Sequence, residues 1–312
     1  MRIYPDSQDL AEGLLAKEPA GWQPPGTFPS DGIEALARRL FGDRQVLVAK
    51  TSETHWSNLF VVESAPESQY GILIDLSRSG VPLPDRLLCF AGSGQRFHGF
   101  RSRPWLASPG NVHLSARFSP PKVEGDMTIG LLASAAVSVV DAIDAIPGLE
   151  ARAGIKWVND VLIDGAKVCG ILAHTESMGA QVRAGVVGIG LNVETTPEVE
   201  PTPFVPCVAS LRDFLPESQP CHQAQAFREL AAALAHNYGQ LIEGGYKSVL
   251  DRYRERSIVI GHEVAVCRED SGAEPEIVAR GRVTGLGERL ELFLEGIEKP
   301  IDRGRLILDP TV

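Results

Sequence analysis

Apolar residues recur along this 312-residue chain at both helical and alternating spacings. Helical spacing predicts five helices, near residues 7–16, 31–41, 68–78, 126–146 and 224–238, the last extending toward 254. Apolar or alternating runs predict strands at 45–50, 58–63, 86–91, 112–118 and 182–193. Helices and strands are interspersed, so the pattern predicts a mixed α/β (α+β) protein.

The pattern changes after residue 256. Short strands are predicted at 263–267, 276–284, 290–294 and 305–308, with glycine-containing turns between them. This spacing is typical of a small all-β barrel. We therefore predict a large domain over 1–256 and a small β domain over 257–312. Within the first, residues 1–45 form a variable lead-in, and the proline-rich residues 1–30 are expected to wrap loosely.

The most informative stretch contains two apolar runs, Val161 to Ile163 and Val168 to Leu172, joined by Asp164-Gly165. Asp-Gly between apolar runs is a strong signal for a β-hairpin. Apolar flanks bury the strands, so nearby polar side chains must face a cleft or find partners. The polar residues held together in this way are Lys156, Asn159, Asp160 and Lys167. The alternative is an ordinary hairpin with a charged rim.

Two further segments suit ligand binding. Residues 92–105 carry three glycines together with Arg96, Arg101 and Arg103, so backbone amides and guanidinium groups can both approach an anion. The alternative is a solvated surface loop.

Gly188 to Asn192 ends a predicted strand, where the glycines allow close approach and Asn192 offers an amide to a ligand. The alternative is a core strand that tolerates glycine.

The charge, the cysteine content and the absence of long apolar runs argue against several classes of protein. A formal net charge of −10 argues against a general nucleic-acid-binding protein. The five cysteines are widely spaced without a CxxC pair, which fits a reducing compartment and no zinc site. The first 25 residues are polar and proline-rich rather than a signal sequence, and no apolar run is expected to span a membrane. We therefore expect a cytoplasmic protein with no metal site built from its own side chains.

Several motifs then occur in a familiar order. Lys156 to Asp160 (KWVND), followed by Lys167 to Leu172 (KVCGIL), resembles the KWPND…KxxGIL signature of biotin protein ligases. Gly188 to Val193 (GIGLNV) resembles the GxGxN strand of that family. Arg101 to Trp105, then Ser108 to Asn111, resembles the end of its arginine-rich adenylate loop. The other resemblances are Glu63-Ser64 to the family's DSTN segment, and the C-terminal strands to its SH3-like domain.

The resemblance runs from about residue 58 to 312. No N-terminal winged-helix region is evident in the sequence, so we expect a member that is not of the repressor type. It also shows departures. His98 and Phe100 stand where the family loop has arginines, Val158 replaces the proline of KWPND, and Ala65 replaces the threonine of DSTN. Each arginine lost from a phosphate clamp removes a charge-assisted hydrogen bond of roughly 1.5–3 kcal/mol.

The resemblance implies a mixed-sheet, class II synthetase-like catalytic domain with an SH3-like β-barrel. It implies that ATP activates biotin as biotinyl-5′-AMP, with Mg²⁺, and that a lysine of a biotin carboxyl carrier domain displaces AMP. The implied catalytic residues are Lys167, Arg101 and Asp160. The implied substrate-binding residues are Ser64, Gln95, Arg103, Trp105, Lys156, Asn159, Gly170 and Asn192. The expected partners exclude nucleic acid and membrane, and the protein is expected to be a monomer or a homodimer.

Two other functions remain open on the sequence. Lipoyl and octanoyl transferases share the ligase fold and can use a cysteine nucleophile, and Cys169 lies two residues from Lys167. Along a regular strand both side chains would face the same side. The altered arginine loop is also compatible with a degenerate homologue that binds a ligand without turnover.

Overall fold

The computed structural model describes residues 1–16, 19–121, 125–179, 181–270 and 275–308. The helices are α1 (Gln8–Leu14), α2 (Asp31–Phe41), α3 (Gln69–Arg78), α4 (Met127–Asp144), α5 (Gln223–Glu243) and α6 (Tyr246–Glu255). The first ten strands are β1 (Arg2–Pro5), β2 (Ala20–Gln23), β3 (Val48–Lys50), β4 (Asn58–Ala65), β5 (Leu87–Gly94), β6 (Val112–Phe118), β7 (Ala153–Lys156), β8 (Asp160–Ile163), β9 (Ala166–Met178) and β10 (Gln181–Leu191). The last four are β11 (Glu263–Cys267), β12 (Ile277–Leu286), β13 (Leu292–Leu294) and β14 (Arg305–Leu308).

The ten N-terminal strands form one mixed sheet in the order β2-β3-β1-β4-β5-β6-β10-β9-β8-β7. β4 pairs in parallel with β1 and β5, and the remaining pairs are antiparallel. Hydrophobic clusters line both faces, one built around α4 and α5 and the other around α2 and α3. The mixed α/β prediction is therefore confirmed.

The apolar helix α4 is the central element of the larger cluster. Asp126 caps it by accepting hydrogen bonds from the amides of Thr128 and Ile129. Among the described residues it is the one helix that is long and apolar enough to cross a membrane, which corrects the prediction that no run reaches that length. Because 78% of it is buried inside the protein, packed against α5, α6 and β9, it serves as a core helix here.

The predicted hairpin is confirmed. β8 and β9 are joined by Asp164 and Gly165, whose φ angles are 49° and 84°. Two consecutive positive φ values define the tight turn that Asp-Gly favours, because glycine adopts them without steric cost. β7 pairs with the other side of β8 and is a strand that the sequence pattern did not predict.

The prediction of a loosely wrapped N-terminal lead-in is wrong. β1 lies inside the sheet between β3 and β4, and Ile3 and Tyr4 are almost fully buried. The strand is only four residues long and ends in Pro5, so its sequence does not show a recognisable strand pattern. A short strand is stabilised mainly by its neighbours, which are distant in sequence.

The C-terminal strands form a four-stranded antiparallel sheet in the order β13-β12-β11-β14, as predicted from their spacing. The sheet is tied to the larger unit by the Trp157 indole, which donates a hydrogen bond to the Leu290 carbonyl at 2.6 Å. The Tyr253 hydroxyl donates to the Val158 carbonyl, and the peptide bond preceding Val158 is cis. The division into domains at residue 256 stays a prediction.

Candidate active site

A cavity of about 260 Å³ opens over the middle of the large sheet. Its walls come from α3, from the loop between β5 and β6, from the irregular segment 197–208 and from β14. Seven of the predicted site residues line it: Arg103, Trp105, Asn159, Asp160, Lys167, Gly170 and Asn192. Segments far apart in sequence therefore meet at one concave site, as is usual for a small-molecule site.

Four residues in register form a row across the floor of the cavity. His113 of β6 pairs with Gly190 of β10, Gly190 pairs with Gly170 of β9, and Gly170 pairs with Asp160 of β8. Directly paired residues point to the same face of a sheet. The row spans three inter-strand spacings, about 14 Å.

The two glycines of this row make room for the Trp105 indole. A Cβ at Gly190 would lie 2.4 Å from the ring atoms Cε2 and Cζ2, and one at Gly170 would lie 3.2 Å from Cζ3. Contacts under 3 Å are sterically excluded, so any larger residue at Gly190 would displace the indole. The GxGxN segment therefore requires glycine at position 190 because the Trp105 indole packs directly against the backbone there.

Lys167 and Asp160 form an ion pair at the end of the row, with Nζ 2.6 Å from Oδ1. Both side chains are mostly buried, at 20% and 18% exposure. The ammonium group also lies 5.9 Å from the Trp105 ring centroid, within the range of a cation–π contact. Lys167 is thus a positioned cation at the cavity surface, as the hairpin predicts.

A β-bulge decides which side chains of β9 reach the cavity. Val161 pairs with Cys169, but the next residue, Leu162, pairs with Lys167, so β9 contains one extra residue. The bulge puts Lys167 and Gly170 on the cavity face and turns Cys169 into the core. Cys169 is fully buried, and burial raises the pKa of its thiol well above the ordinary value. The hypothesis that Cys169 is a nucleophile, which assumed regular alternation, is therefore contradicted.

The two asparagines of the motifs are held by backbone groups. Asn159 donates from Nδ2 to the Ile171 carbonyl at 2.8 Å, and the Ile171 amide donates back to the Asn159 carbonyl. Asn192 is buried and donates from Nδ2 to the Ala209 carbonyl at 3.1 Å. Its Oδ1 is buried without a hydrogen-bond partner. Both residues line the cavity, and their side-chain amides are held in place by these hydrogen bonds to backbone carbonyls.

Lys156 does not line the cavity but is buried beneath it. Its Nζ donates to the Phe204 carbonyl at 2.5 Å, and its side chain is 6% exposed. Burial lowers the pKa of Lys156 to about 8. The nearby Asp160 carboxylate acts in the opposite direction and partly offsets this lowering. Its observed partner is a backbone carbonyl rather than a carboxylate. It therefore supports the cavity wall.

The arginine-rich loop folds as a small hairpin of its own. Gly99 and Trp105 donate backbone hydrogen bonds to Arg103 and Phe97. Arg103 lines the cavity, and its Nε donates to the Phe100 carbonyl. Arg101 points away and forms an ion pair with Glu269, beyond the end of β11. The structure thus separates two arginines that the motif placed together.

Ser64 and Gln95 are exposed and lie outside the cavity lining. Other residues of the same segments are there instead: Ser68 and Tyr70 at the start of α3, and Phe97 in the loop. The Ser-Gln-Tyr sequence at the helix N-terminus was the available signal for Ser68. The substrate-binding roles of Ser64 and Gln95 stay predictions.

His113 and Arg305 also line the cavity and were not predicted from the sequence. The His113 ring donates from Nε2 to the Ser108 carbonyl at 3.0 Å, since a carbonyl can only accept. Burial lowers the pKa of His113 to about 4, so the imidazole is neutral. Among the described residues, no cluster of three His, Cys, Asp or Glu side chains is arranged to hold a metal ion.

Comparison with known proteins agrees with this geometry. The model of the biotin/lipoate A/B protein ligase family matches residues 86–192. A biotin–[acetyl-CoA-carboxylase] ligase of Paracoccus denitrificans is 33% identical over 224 residues, covering 70% of this chain and 80% of that protein. This chain belongs to the biotin protein ligase family.

Other biotin protein ligases are similar over comparable lengths. The biotin–[acetyl-CoA-carboxylase] ligase of Mycobacterium tuberculosis is 27% identical over 256 residues, covering 81% of this chain and 84% of that protein. The biotin protein ligase of Aquifex aeolicus, solved in complex with biotin and ATP, superposes with a TM-score of 0.61. At 20% identity, over 81% of this chain and 99% of that one, the superposition shows that the two share the biotin ligase fold.

Proposed function

We propose that this protein is an ATP-dependent biotin–protein ligase. It activates biotin as biotinyl-5′-AMP and transfers the biotinyl group to a lysine of a biotin carboxyl carrier domain. The observation that carries the proposal is the Lys167–Asp160 pair at the end of a glycine-floored row, 2.6 Å apart on the cavity surface. The relatives that carry this activity in their names cover most of the chain.

In the first step a carboxylate oxygen of biotin attacks the α-phosphorus of ATP. The new O–P bond forms as the bond to pyrophosphate breaks. Both reactants are anionic, so a fixed cation between them lowers the barrier by stabilising the charge that develops. Lys167 supplies that cation, and Asp160 holds its ammonium group in place. Arg103 adds a second cation at the phosphate.

In the second step the amine of the carrier lysine attacks the acyl carbon, and AMP leaves. The neutral amine forms the new C–N bond as the bond from the acyl carbon to the AMP oxygen breaks, and the proton that the nitrogen loses is released to solvent. Of the two carboxylates that line the cavity, Asp160 and Glu200, Asp160 is the one beside Lys167, and we assign it the orientation of the incoming amine. Mg²⁺ accompanies ATP. Mg²⁺ would be bound mainly through the nucleotide, would neutralise charge on the phosphates, and Asp160 is the residue that would contact it.

The remaining assignments follow the cavity lining. Asn159 and Asn192 face the nucleotide, and Trp105 covers the glycine floor of the reactive centre. Three exposed apolar residues at the mouth of the cavity, Phe100, Leu106 and Val199, suit the docking of a carrier domain. We place the protein in the cytoplasm, acting as a monomer or a homodimer.

The cysteine-dependent acyl transferase is the weaker candidate because Cys169 faces the core with its thiol neutral. The deciding experiment incubates the protein with ATP, Mg²⁺, biotin and a purified carrier domain, followed by a streptavidin blot. A carrier whose acceptor lysine is replaced by arginine serves as the control. We expect labelling that depends on ATP and on the acceptor lysine. Binding of biotin and ATP without labelling would instead identify a degenerate homologue.

A further inference from the structure

A second cavity, of about 430 Å³, lies at the opposite end of the large sheet from the candidate active site. Strands β1, β2 and β3 form one side of it, and residues 25–29, which lead into α2, form the other. Among the described residues, the two cavities share no lining residue. The volume of the second cavity lies within the range of small-molecule sites, roughly 300–1,000 Å³. The fold therefore has room for a ligand away from the ligase motifs.

Two cations lie opposite each other at this second cavity. Arg2 of β1 pairs directly with Lys50 of β3, and both line the cavity. Directly paired residues point to the same face of a sheet, and like charges in this arrangement destabilise the strand pair. Both residues are exposed, and neither forms an ion pair with a carboxylate of the described residues. The described lining contains no Asp or Glu. An anion bound between the two cations would remove their repulsion.

The inner wall of the second cavity is apolar. Tyr4 follows Arg2 by two residues and so faces the same side of β1. It is 1% exposed, and its ring stacks on Phe60 with the ring centroids 4.8 Å apart. Phe28, whose ring centroid lies 5.9 Å from that of Tyr4, and Val48 complete this wall. Burial raises the pKa of the Tyr4 phenol, so the wall carries no negative charge. The cavity thus combines a cationic mouth with an aromatic and aliphatic interior.

We propose that this second cavity binds a small organic acid. Its carboxylate lies between Arg2 and Lys50, and its apolar body packs against Phe28 and Val48. The planar guanidinium group matches the two oxygens of a carboxylate, and the lysine adds a second positive charge. Inorganic phosphate fits less well, because its remaining oxygens would lose their hydration against the apolar inner wall. The site is independent of the proposed ligase function.

The test measures the binding of 3-phenylpropanoate by titration calorimetry, with 3-phenylpropanol and inorganic phosphate as matched probes. The alcohol keeps the apolar body without the charge, and phosphate keeps a charge without the body. We expect the acid to bind at least about tenfold more tightly than either probe, the effect of one charge-assisted hydrogen bond. Its binding should weaken at high salt, because both cations are exposed. Equal affinity for the acid and either probe overturns the inference.

Single substitutions locate the bound acid. Arg2→Gln and Lys50→Gln each remove one cation, and each should weaken binding about fivefold to tenfold, since an exposed charge contributes less than a buried one. Arg303→Gln is the matched control, because Arg303 is 81% exposed and lies in the C-terminal sheet domain. It should bind the acid like the wild type. Lys167→Ala should also retain this binding, since its lysine belongs to the other cavity.

Thermal unfolding separates binding from a structural role of the two cations. Without the acid, Arg2→Gln and Lys50→Gln should melt at or above the wild-type temperature, because the repulsion between β1 and β3 is relieved. The acid should raise the melting temperature of the wild type more than that of either variant. A lower melting temperature of both variants without the acid would mean that the cations serve the fold, which overturns the inference. Loss of acid binding in Lys167→Ala, with binding retained in Arg2→Gln, would place the acid in the other cavity and also overturn it.

Discussion

Lys167 reaches Asp160 across a β-bulge, with Nζ 2.6 Å from Oδ1, although the two residues belong to adjacent strands and do not pair directly. The bulge sets Lys167 opposite Leu162 and so aligns its side chain with the face that carries Asp160. The ion pair holds the ammonium group in a fixed position at the cavity surface. The first prediction tests this relationship.

Lys167→Ala removes the cation between two anionic reactants. We expect biotin-dependent ATP–pyrophosphate exchange to fall about a hundredfold to a thousandfold, the range for losing a preorganised electrostatic group. Asp160→Asn should cost less, since the lysine stays but is held less firmly. Circular dichroism and thermal unfolding provide the fold control. Exchange at the wild-type rate by Lys167→Ala would refute the assignment.

Gly190→Ala introduces a Cβ 2.4 Å from the Trp105 indole. Since backbone and ring cannot both stay in place, we expect the indole to shift and the affinity for a non-hydrolysable biotinyl-adenylate analogue to drop at least about tenfold. Gly165→Ala is not a suitable control, because its φ is 84°. Gly71→Ala is, because a Cβ there meets nothing within 4 Å. An unchanged affinity in Gly190→Ala would show that binding of the adenylate analogue does not depend on the observed position of the Trp105 indole.

Cys169→Ser is expected to retain ligase activity. The thiol packs in the core, and burial raises its pKa, so it offers no thiolate to the cavity. The hydroxyl is less well suited to an apolar site, so we expect a loss of stability of about 1–2 kcal/mol in urea unfolding. Cys169→Ala removes the thiol without burying a hydroxyl, so it separates the loss of the sulfur from the cost of a buried polar group. Loss of turnover in both variants, with a trapped thioester in the wild type, would favour acyl transfer.

Phe100→Arg restores a guanidinium that the family loop carries. Phe100 is 46% exposed and lines the cavity, with Arg101 and Arg103 within 6 Å of its ring. We expect the adenylate analogue to bind about tenfold more tightly, the effect of one added charge-assisted hydrogen bond. Phe100→Leu, which adds no charge, should leave the affinity near wild type. No gain in Phe100→Arg, with nanomolar binding already in the wild type, contradicts the loop argument.

His113 should make stability depend on pH on the acid side. Its pKa is lowered to about 4 by burial, from an ordinary value of 6.5. Between those values the unfolded chain binds the proton and the folded protein does not. Stability from this group is therefore complete above pH 6.5 and falls as pH drops toward 4. We expect a loss on the order of 2–3 kcal/mol over that interval.

The measurement for His113 is urea unfolding at pH 7, 5.5 and 4.5 for the wild type and His113→Gln. The glutamine cannot take up a proton, so the variant should show a smaller loss of stability toward low pH. Carboxylates titrate equally in both proteins, and the difference between the two curves isolates His113. Parallel curves would mean that the imidazole titrates normally in the folded protein.

The sequence by itself determined the features that depend on local order. Asp164-Gly165 between apolar runs specified the β8–β9 hairpin, because the positive φ values of that turn suit those two residues. Helical spacing of apolar residues specified α2, and the spacing of short apolar runs specified the C-terminal strands. The ordered motifs around Lys167 and Gly190 identified the family. All of these depend on residues close in sequence.

Only the tertiary structure decided which side chains reach the cavity. The bulge in β9 turned Cys169 into the core, since register depends on pairing with β8 and β10. Glu269 drew Arg101 away from the site, and β14 brought Arg305 into it. Residues 2–5 became an interior strand because β3 and β4 flank them. Each outcome rests on contacts between residues far apart in the chain, whose energies no local pattern contains.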